Sequence, residues 1–372
     1  MKTYPHIQVE GNATERGRQY GAQARTFIEK SVAAYREVFQ YYAGWDWSDV
    51  RSFAAGYEGP IGAFSPKYLE ELRAMAQGSG FDLLDILAIN VRTEIMYSAR
   101  ARQVSIAQPH ECTSFGIIPA TGSSQQVIVG QNWDWLPHTF DTVVVLEARQ
   151  DDGPNYVTVV EAGLLAKTGM NANGIGLVTN ALATDADVGE PGVPYHVFLR
   201  AILDSETVTG ALTLLQQSSR SSSANYLVAH RDGSGLDVEA APGDFSRLFV
   251  LIPEDGLLLH TNHFVSPRFD GRDVSLWTSP DSPIRYSRLI SGLRIGSPTV
   301  ESLQTLLSDH ANHPYGVCSH PDPRVKAVEQ GATIASVIMD LEGQTMWLAD
   351  GPPCSTAYRQ LDYRNLFATG SQ

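Results

Sequence analysis

Apolar positions over the first hundred residues recur every three to four places, the spacing of a helix with one buried face. Phe27, Val32, Tyr35, Val38, Phe39 and Tyr42 fall roughly on one side of a segment running from a Thr14 N-cap towards Ala43. A second helix is predicted from about Tyr68 to Gln77, stopped by Gly78-Ser79-Gly80. Asp82 then caps a third, whose Leu83, Leu84, Ile86, Leu87 and Ile89 are apolar nearly all round, as in a buried helix. At Cys112 the pattern changes. Cys112 to Ile118, Gln126 to Gln131, Thr142 to Ala148 and Tyr156 to Val160 are rich in β-branched and aromatic residues, as strands are. Hairpins are predicted across Asn173-Gly174 and Asp232-Gly233, with helical spacing between them from Tyr195 to Gln217. Helices about Ile284 to Leu293 and Val300 to Ser308 precede the last strands, "TIASVIMDL" and "QTMWLA".

Helices, strands, helices, strands, with hairpins as many of the connections, predict α+β layering rather than a doubly wound parallel sheet. No repeat or convincing linker divides the chain, so residues 1–372 are expected to form one domain. Composition adds little to this: 43% hydrophobic and 18% charged residues describe an ordinary globular protein. A net charge of −14 argues against nucleic acid as a partner, since phosphate binding needs clustered Lys and Arg. The N-terminus lacks a long apolar run, so neither a signal peptide nor a membrane anchor is expected. Three cysteines, Cys112, Cys318 and Cys354, form no disulfide framework, and a cytoplasmic location is expected.

The candidate chemistry begins at "ECTSFG", where Cys112 opens a run that starts polar and turns apolar. A buried cysteine is commonly a small hydrophobe, so the surrounding residues must decide. In "VGQNWDW", Asn132 and Asp134 are two apart and share one face of an extended segment, with Trp133 and Trp135 on the other. Asn180 in "LVTNAL" and Asn262 in "LHTNHF" each follow a strand-like run. Such residues usually form turns, yet an Asn amide can also donate to a reacting carbonyl. Arg285 and Arg288 in "SPIRYSRL" lie on one side of a helix start. His310, His313, Cys318 and His320 crowd "DHANHPYGVCSHP", all zinc-compatible types. The spacing is irregular and a second thiolate pair is missing, so a polar loop without a metal is expected. No phosphate loop or dinucleotide fingerprint occurs, and no bound cofactor is expected.

Taken in order, "ECTSFG", "GQNWDW", "TNHF", "SPIRYSRL", "DHANHP…CSHPDP" and "ASVIMDL…TMWLADGPPC" resemble the penicillin acyltransferase-type cysteine autoproteases, relatives of isopenicillin N acyltransferase among the N-terminal nucleophile hydrolases. The opening "GNATERGRQYG" resembles that family too, so the likeness spans nearly the whole chain. It implies a four-layer αββα sandwich and a precursor that cuts itself at Glu111–Cys112. Residues 1–111 and 112–372 would then remain as two fragments of one heterodimer. It further implies Cys112 as nucleophile, Asp134 as its orienting acid, Asn262 as an oxyanion donor and Asn180 as a second. Arg285 is implied to steady the nucleophile, with Arg288 the alternative if the match slips one helical turn. The substrate would be a small non-peptide amide, with a coenzyme A thioester only as co-substrate. Glu111 departs from the glycine of the fungal pattern, and Gln131 stands where bile-salt hydrolases carry arginine. Two other functions fit less well: a papain-like Cys/His hydrolase without self-cleavage, and a non-catalytic binding protein on the same fold.

Overall fold

Two β-sheets lie face to face at the centre of the computed structural model, which describes residues 3–102, 112–120, 126–294 and 298–368. Along the chain the described strands are β1 (His6–Gly11), β2 (Thr113–Ile117), β3 (Ile128–Trp135), β4 (Val143–Gln150), β5 (Tyr156–Glu161), β6 (Thr168–Asn171) and β7 (Ile175–Ala181). Then come β8 (Ala224–His230), β9 (Gly235–Ala240), β10 (Leu248–Leu251), β11 (Leu257–His260), β12 (Ala332–Asp340), β13 (Thr345–Ala349) and β14 (Arg359–Asp362). The larger sheet has the order β1-β4-β5-β6-β7-β8-β9-β10, and the smaller β11-β2-β3-β12-β13-β14. All neighbours are antiparallel except β1 and β4.

The larger core fills the space between the sheets and beneath the helices on the larger one, drawing Ile28, Tyr35, Val145, Val159, Leu177 and Phe198 together with Val129 and Val337. A smaller core joins the other sheet to the outer helices Ser282–Leu293 and Val300–Leu307, through Phe115, Ile117, Ile128, Ile338, Leu293, Leu303 and Leu307. The layers therefore run helix, sheet, sheet, helix. This is the α+β, four-layer αββα sandwich that the resemblance implied.

Helix Ala13–Ala43 starts two residues earlier than the sequence suggested. Asn12, not Thr14, is the N-cap, in a reciprocal capping box with Glu15. The helix packs closely on Pro66–Ser79 because Gly17 and Gly21 face it: an added Cβ would lie 2.3 Å from the Glu71 carbonyl oxygen and 2.2 Å from that of Met75. Two expectations fail at element boundaries. The segment 195–217 is two helices, Tyr195–Leu203 and Val208–Gln216, because Thr207 caps a new start. The strand expected to stop at Gln131 runs on to Trp135, so Asn132 and Asp134 lie within it. No helix among the described residues is long and apolar enough to cross a membrane.

Candidate active site

Cys112 immediately precedes β2, so its position follows from the strand register around it. β11 runs antiparallel to β2 with His260 opposite Ser114. Continuing that register two residues puts Asn262 beside Cys112, which explains how an asparagine 150 positions away in the chain arrives there. β7 of the other sheet brings Asn180 from the opposite side. The cysteine is thus at the seam between the sheets, with 3% of its surface exposed.

The backbone carbonyl of Cys112 is clamped from two directions. Asn180 Nδ2 donates to it at 2.8 Å and Arg285 Nη1 at 2.9 Å. Arg285, in the outer helix Ser282–Leu293, distributes its planar fork over four acceptors: the Cys112 carbonyl, Thr113 Oγ1 at 3.0 Å, Asn262 Oδ1 at 2.9 Å and, through Nε, Asp281 Oδ2 at 2.7 Å. Burying a guanidinium is costly unless its charge and donors are met, and Asp281, one helical turn earlier, meets the charge. Asn180 Oδ1 accepts from Ser114 Oγ at 2.5 Å. The two hydroxyls after the cysteine, Thr113 and Ser114, therefore fasten the two residues that hold its carbonyl.

Asn262 receives Arg285 on its oxygen and donates Nδ2 to the Ala181 carbonyl at 2.9 Å, while its backbone N–H donates to Ser282 Oγ at 2.7 Å. An Asn amide carries two N–H donors. Asp134 is fully buried and accepts from Thr333 Oγ1 at 2.6 Å, across the β3–β12 pairing, where β12 bulges between Thr333 and Ala335. The alternation expected of "QNWDW" holds. Asn132 sends its amide to the Leu307 and Val317 carbonyls at 2.8 Å each, whereas the rings of Trp133 and Trp135 enter the main core.

Cys112 and Asp134 line one small pocket, walled by Arg92, Met96, Tyr97, Trp135, Lys167 and Tyr195 among others. Two wider hollows open beside Gln8 and Tyr363 and beside Ile118 and Leu293, away from this chemistry. Size does not choose the site; the converging polar groups do.

The structure thus brings together Cys112, Asp134, Asn180, Asn262 and Arg285. Arg288 faces solvent and pairs with Asp309 at 2.5 Å, so the one-turn alternative for the arginine is not realised. Glu111 lies outside the described residues. Sequence reasoning missed Thr333, which reaches Asp134 from 199 residues away, and the pocket residues Arg92 and Lys167, which come from a helix and a turn carrying no motif.

A family model described as acyl-coenzyme A:6-aminopenicillanic acid acyl-transferase matches residues 120–353, a span that holds Asp134, Asn180, Asn262 and Arg285 and begins downstream of Cys112. The chain is 23% identical over 348 residues to the acyl-coenzyme A:6-aminopenicillanic-acid-acyltransferase 40 kDa form of Emericella nidulans, with 94% of this chain and 93% of that protein covered. Among solved structures, it is similar to an N-acylethanolamine-hydrolyzing acid amidase ortholog from Caenorhabditis elegans at 17% identity and a TM-score of 0.46, covering 62% of this chain and 93% of that one. It is also similar to penicillin V acylase from Agrobacterium tumefaciens at 16% identity and a TM-score of 0.46, covering 70% and 89%.

Proposed function

Because the chain belongs to the acyl-coenzyme A:6-aminopenicillanic acid acyl-transferase family, we propose that it is a precursor that cuts its own Glu111–Cys112 bond and then works as a cysteine amidohydrolase or acyltransferase. The observation that carries this reading is the clamp on the Cys112 carbonyl. A cysteine serving only as core filler has no need of a buried arginine and an asparagine on its main chain. A residue that must become a chain terminus without losing its position does.

In the precursor the Cys112 thiol attacks the Glu111 carbonyl carbon. The peptide C–N bond breaks as the C–S bond forms, and the amide nitrogen takes up a proton to become the Cys112 α-amine. Water then resolves the thioester, leaving a Glu111 carboxylate and a free thiol. A free thiol has a pKa near ~8.5 and an α-amine near ~7.7–8.0, so the new amine can accept the thiol proton near neutrality. In turnover the thiolate attacks the substrate amide carbon, and Asn262 donates to the oxyanion. The leaving amine takes the proton back from the α-ammonium, which Asp134 orients. Asn180 and Arg285 act as positioning residues on the Cys112 carbonyl. The acyl-thioester that remains is resolved by water, by an amine or by a coenzyme A thiol.

A small N-acylated amine or amino acid is the proposed substrate, its acyl group lying against Met96, Tyr97 and Trp135. The names of the relatives, an acyltransferase and two acylases or amidases, support that class. The papain-like reading is less well supported, since the described residues lining the pocket include no imidazole. His263, next to Asn262, is bonded to Ser282 Oγ, and burial beside His260 and Arg285 pushes its pKa down to about 4.

Intact-mass measurement and N-terminal sequencing of purified protein test the proposal. Two chains are expected, one beginning at Cys112, with neither splitting nor amide turnover in Cys112→Ala. A persistently single chain that still hydrolyses amides would sink it.

A further inference from the structure

The histidine-rich loop between helix Val300–Leu307 and β12 was expected to be a polar loop without a metal, and within that stretch of sequence Cys318 has no thiol partner. The fold supplies one. Cys354, in the turn after β13, lies 34 residues beyond His320 in sequence, yet its Sγ is 3.5 Å from His320 Nε2. Cys318 Sγ is also 3.5 Å from that nitrogen, and His310 Nε2 is 3.0 Å from it. The four atoms all lie within 4.8 Å of one another, forming the one such group of His, Cys, Asp or Glu among the described residues. Their separations can be compared with a coordination shell. A tetrahedral zinc ion, with Zn–N about 2.0–2.1 Å and Zn–S about 2.3 Å, requires N···N edges of about 3.3 Å, S···N edges of about 3.5 Å and an S···S edge of about 3.8 Å. The two S···N distances to His320 match, and the His310–His320 N···N distance is slightly short. An imidazole–imidazole hydrogen bond would account for one of these contacts but makes no use of two sulfurs. A disulfide would draw the sulfurs to about 2.05 Å and make no use of two imidazoles.

We propose that His310, Cys318, His320 and Cys354 form a Cys2His2 site for a tetrahedral divalent ion, zinc above all. Binding releases the two thiol protons to solvent, and the two thiolates balance the ion's two charges. Four protein ligands close the coordination sphere, so the site is structural and takes no part in acyl transfer. His313 packs against His310 with ring centroids 5.8 Å apart and is not a ligand. The consequence for the active site runs through the loop itself. The Val317 carbonyl, just before Cys318, holds Asn132 of β3, and the Ser319 N–H, just after it, donates at 2.9 Å to Thr333 Oγ1, the hydroxyl that binds Asp134. An ion tying this loop to the turn after β13 fixes the support of Asp134.

Elemental analysis of protein purified from zinc-supplemented medium tests this. One zinc per chain is expected in the wild type and equally in Cys112→Ala, which separates the result from the fate of the proposed nucleophile. His310→Ala and Cys354→Ala replace exposed residues, so both should fold, and each should lose most of the zinc. Cobalt(II) replacement should give the visible bands of a tetrahedral thiolate site, weakened in Cys354→Ala. Any of three results overturns the proposal: reduced wild-type protein that takes up no zinc on titration, variants that retain a full equivalent, or a Cys318–Cys354 disulfide in place of the metal.

Discussion

Arg285 and Asn262 show how closely residue type is constrained at this site. A guanidinium can reach the Cys112 carbonyl, Thr113, Asn262 and Asp281 at once because its donors are fixed in a planar fork. A lysine keeps the charge but cannot span those acceptors. Losing one charge-assisted hydrogen bond costs about 1.5–3 kcal/mol, so Arg285→Lys should slow chain splitting and turnover on the order of tenfold to a hundredfold. Asn262→Ala should instead spare the fold and raise the turnover barrier by about 2.7–4 kcal/mol, the usual cost of a lost oxyanion donor. Time courses of splitting on denaturing gels, with steady-state rates on a chromogenic amide, separate the two. Wild-type rates in Arg285→Lys would mean the clamp is dispensable. Cys112, Asn262 and Arg285 were singled out through the resemblance, because a strand-end asparagine alone reads as a turn former and an arginine at a helix start as a solvated one. Thr333 was not, since a threonine in a strand is ordinary and its partner Asp134 is set only by the β3–β12 register.

At the scale of elements, what the sequence lost was mainly short or long-range. β1 is six residues with only Ile7 and Val9 turned inward, an alternation too brief to read as a strand until β4 is seen beside it. Cys354 could not be joined to His320 from sequence because the turn after β13 meets the loop before β12 only once both are folded. β9 raises a separate point, since it buries Asp237 beside Glu239 and His260. Burial holds the Asp237 carboxyl up at about 6, with His260 opposing the rise and Glu239 adding to it. An unfolded aspartate loses its proton near ~3.9, so between those values the native chain binds a proton that the unfolded chain does not. Stability from this group therefore falls as pH rises through that window and stays lowered above it. Asp237→Asn should melt higher than the wild type above pH about 6, with the advantage fading towards pH ~4. Thermal melts across that range check this; a pH-independent difference would assign the change to packing instead.

Across the whole molecule, the segment before Cys112 is woven into the segment after it. β1 pairs with β4, Glu71 is held by Arg16 and by Arg200, Asn90 Nδ2 donates to the Gly163 carbonyl at 2.7 Å, and Tyr35 joins Glu161, Arg92 and Trp135. Cutting one peptide bond between residues 111 and 112 leaves all of these in place. The two fragments should therefore co-elute in native gel filtration and separate only in denaturant, and a small fragment that dissociates on cleavage would contradict this packing. The clamp on Cys112 has a further consequence for how such a cut relaxes. The proposed scissile bond is anchored on its downstream side by Asn180 and Arg285, so Cys112 should keep its place when the bond is cut. On the proposed cut the amine would form where it must act, and the first turnover would then wait only on water to free the thiol from its thioester.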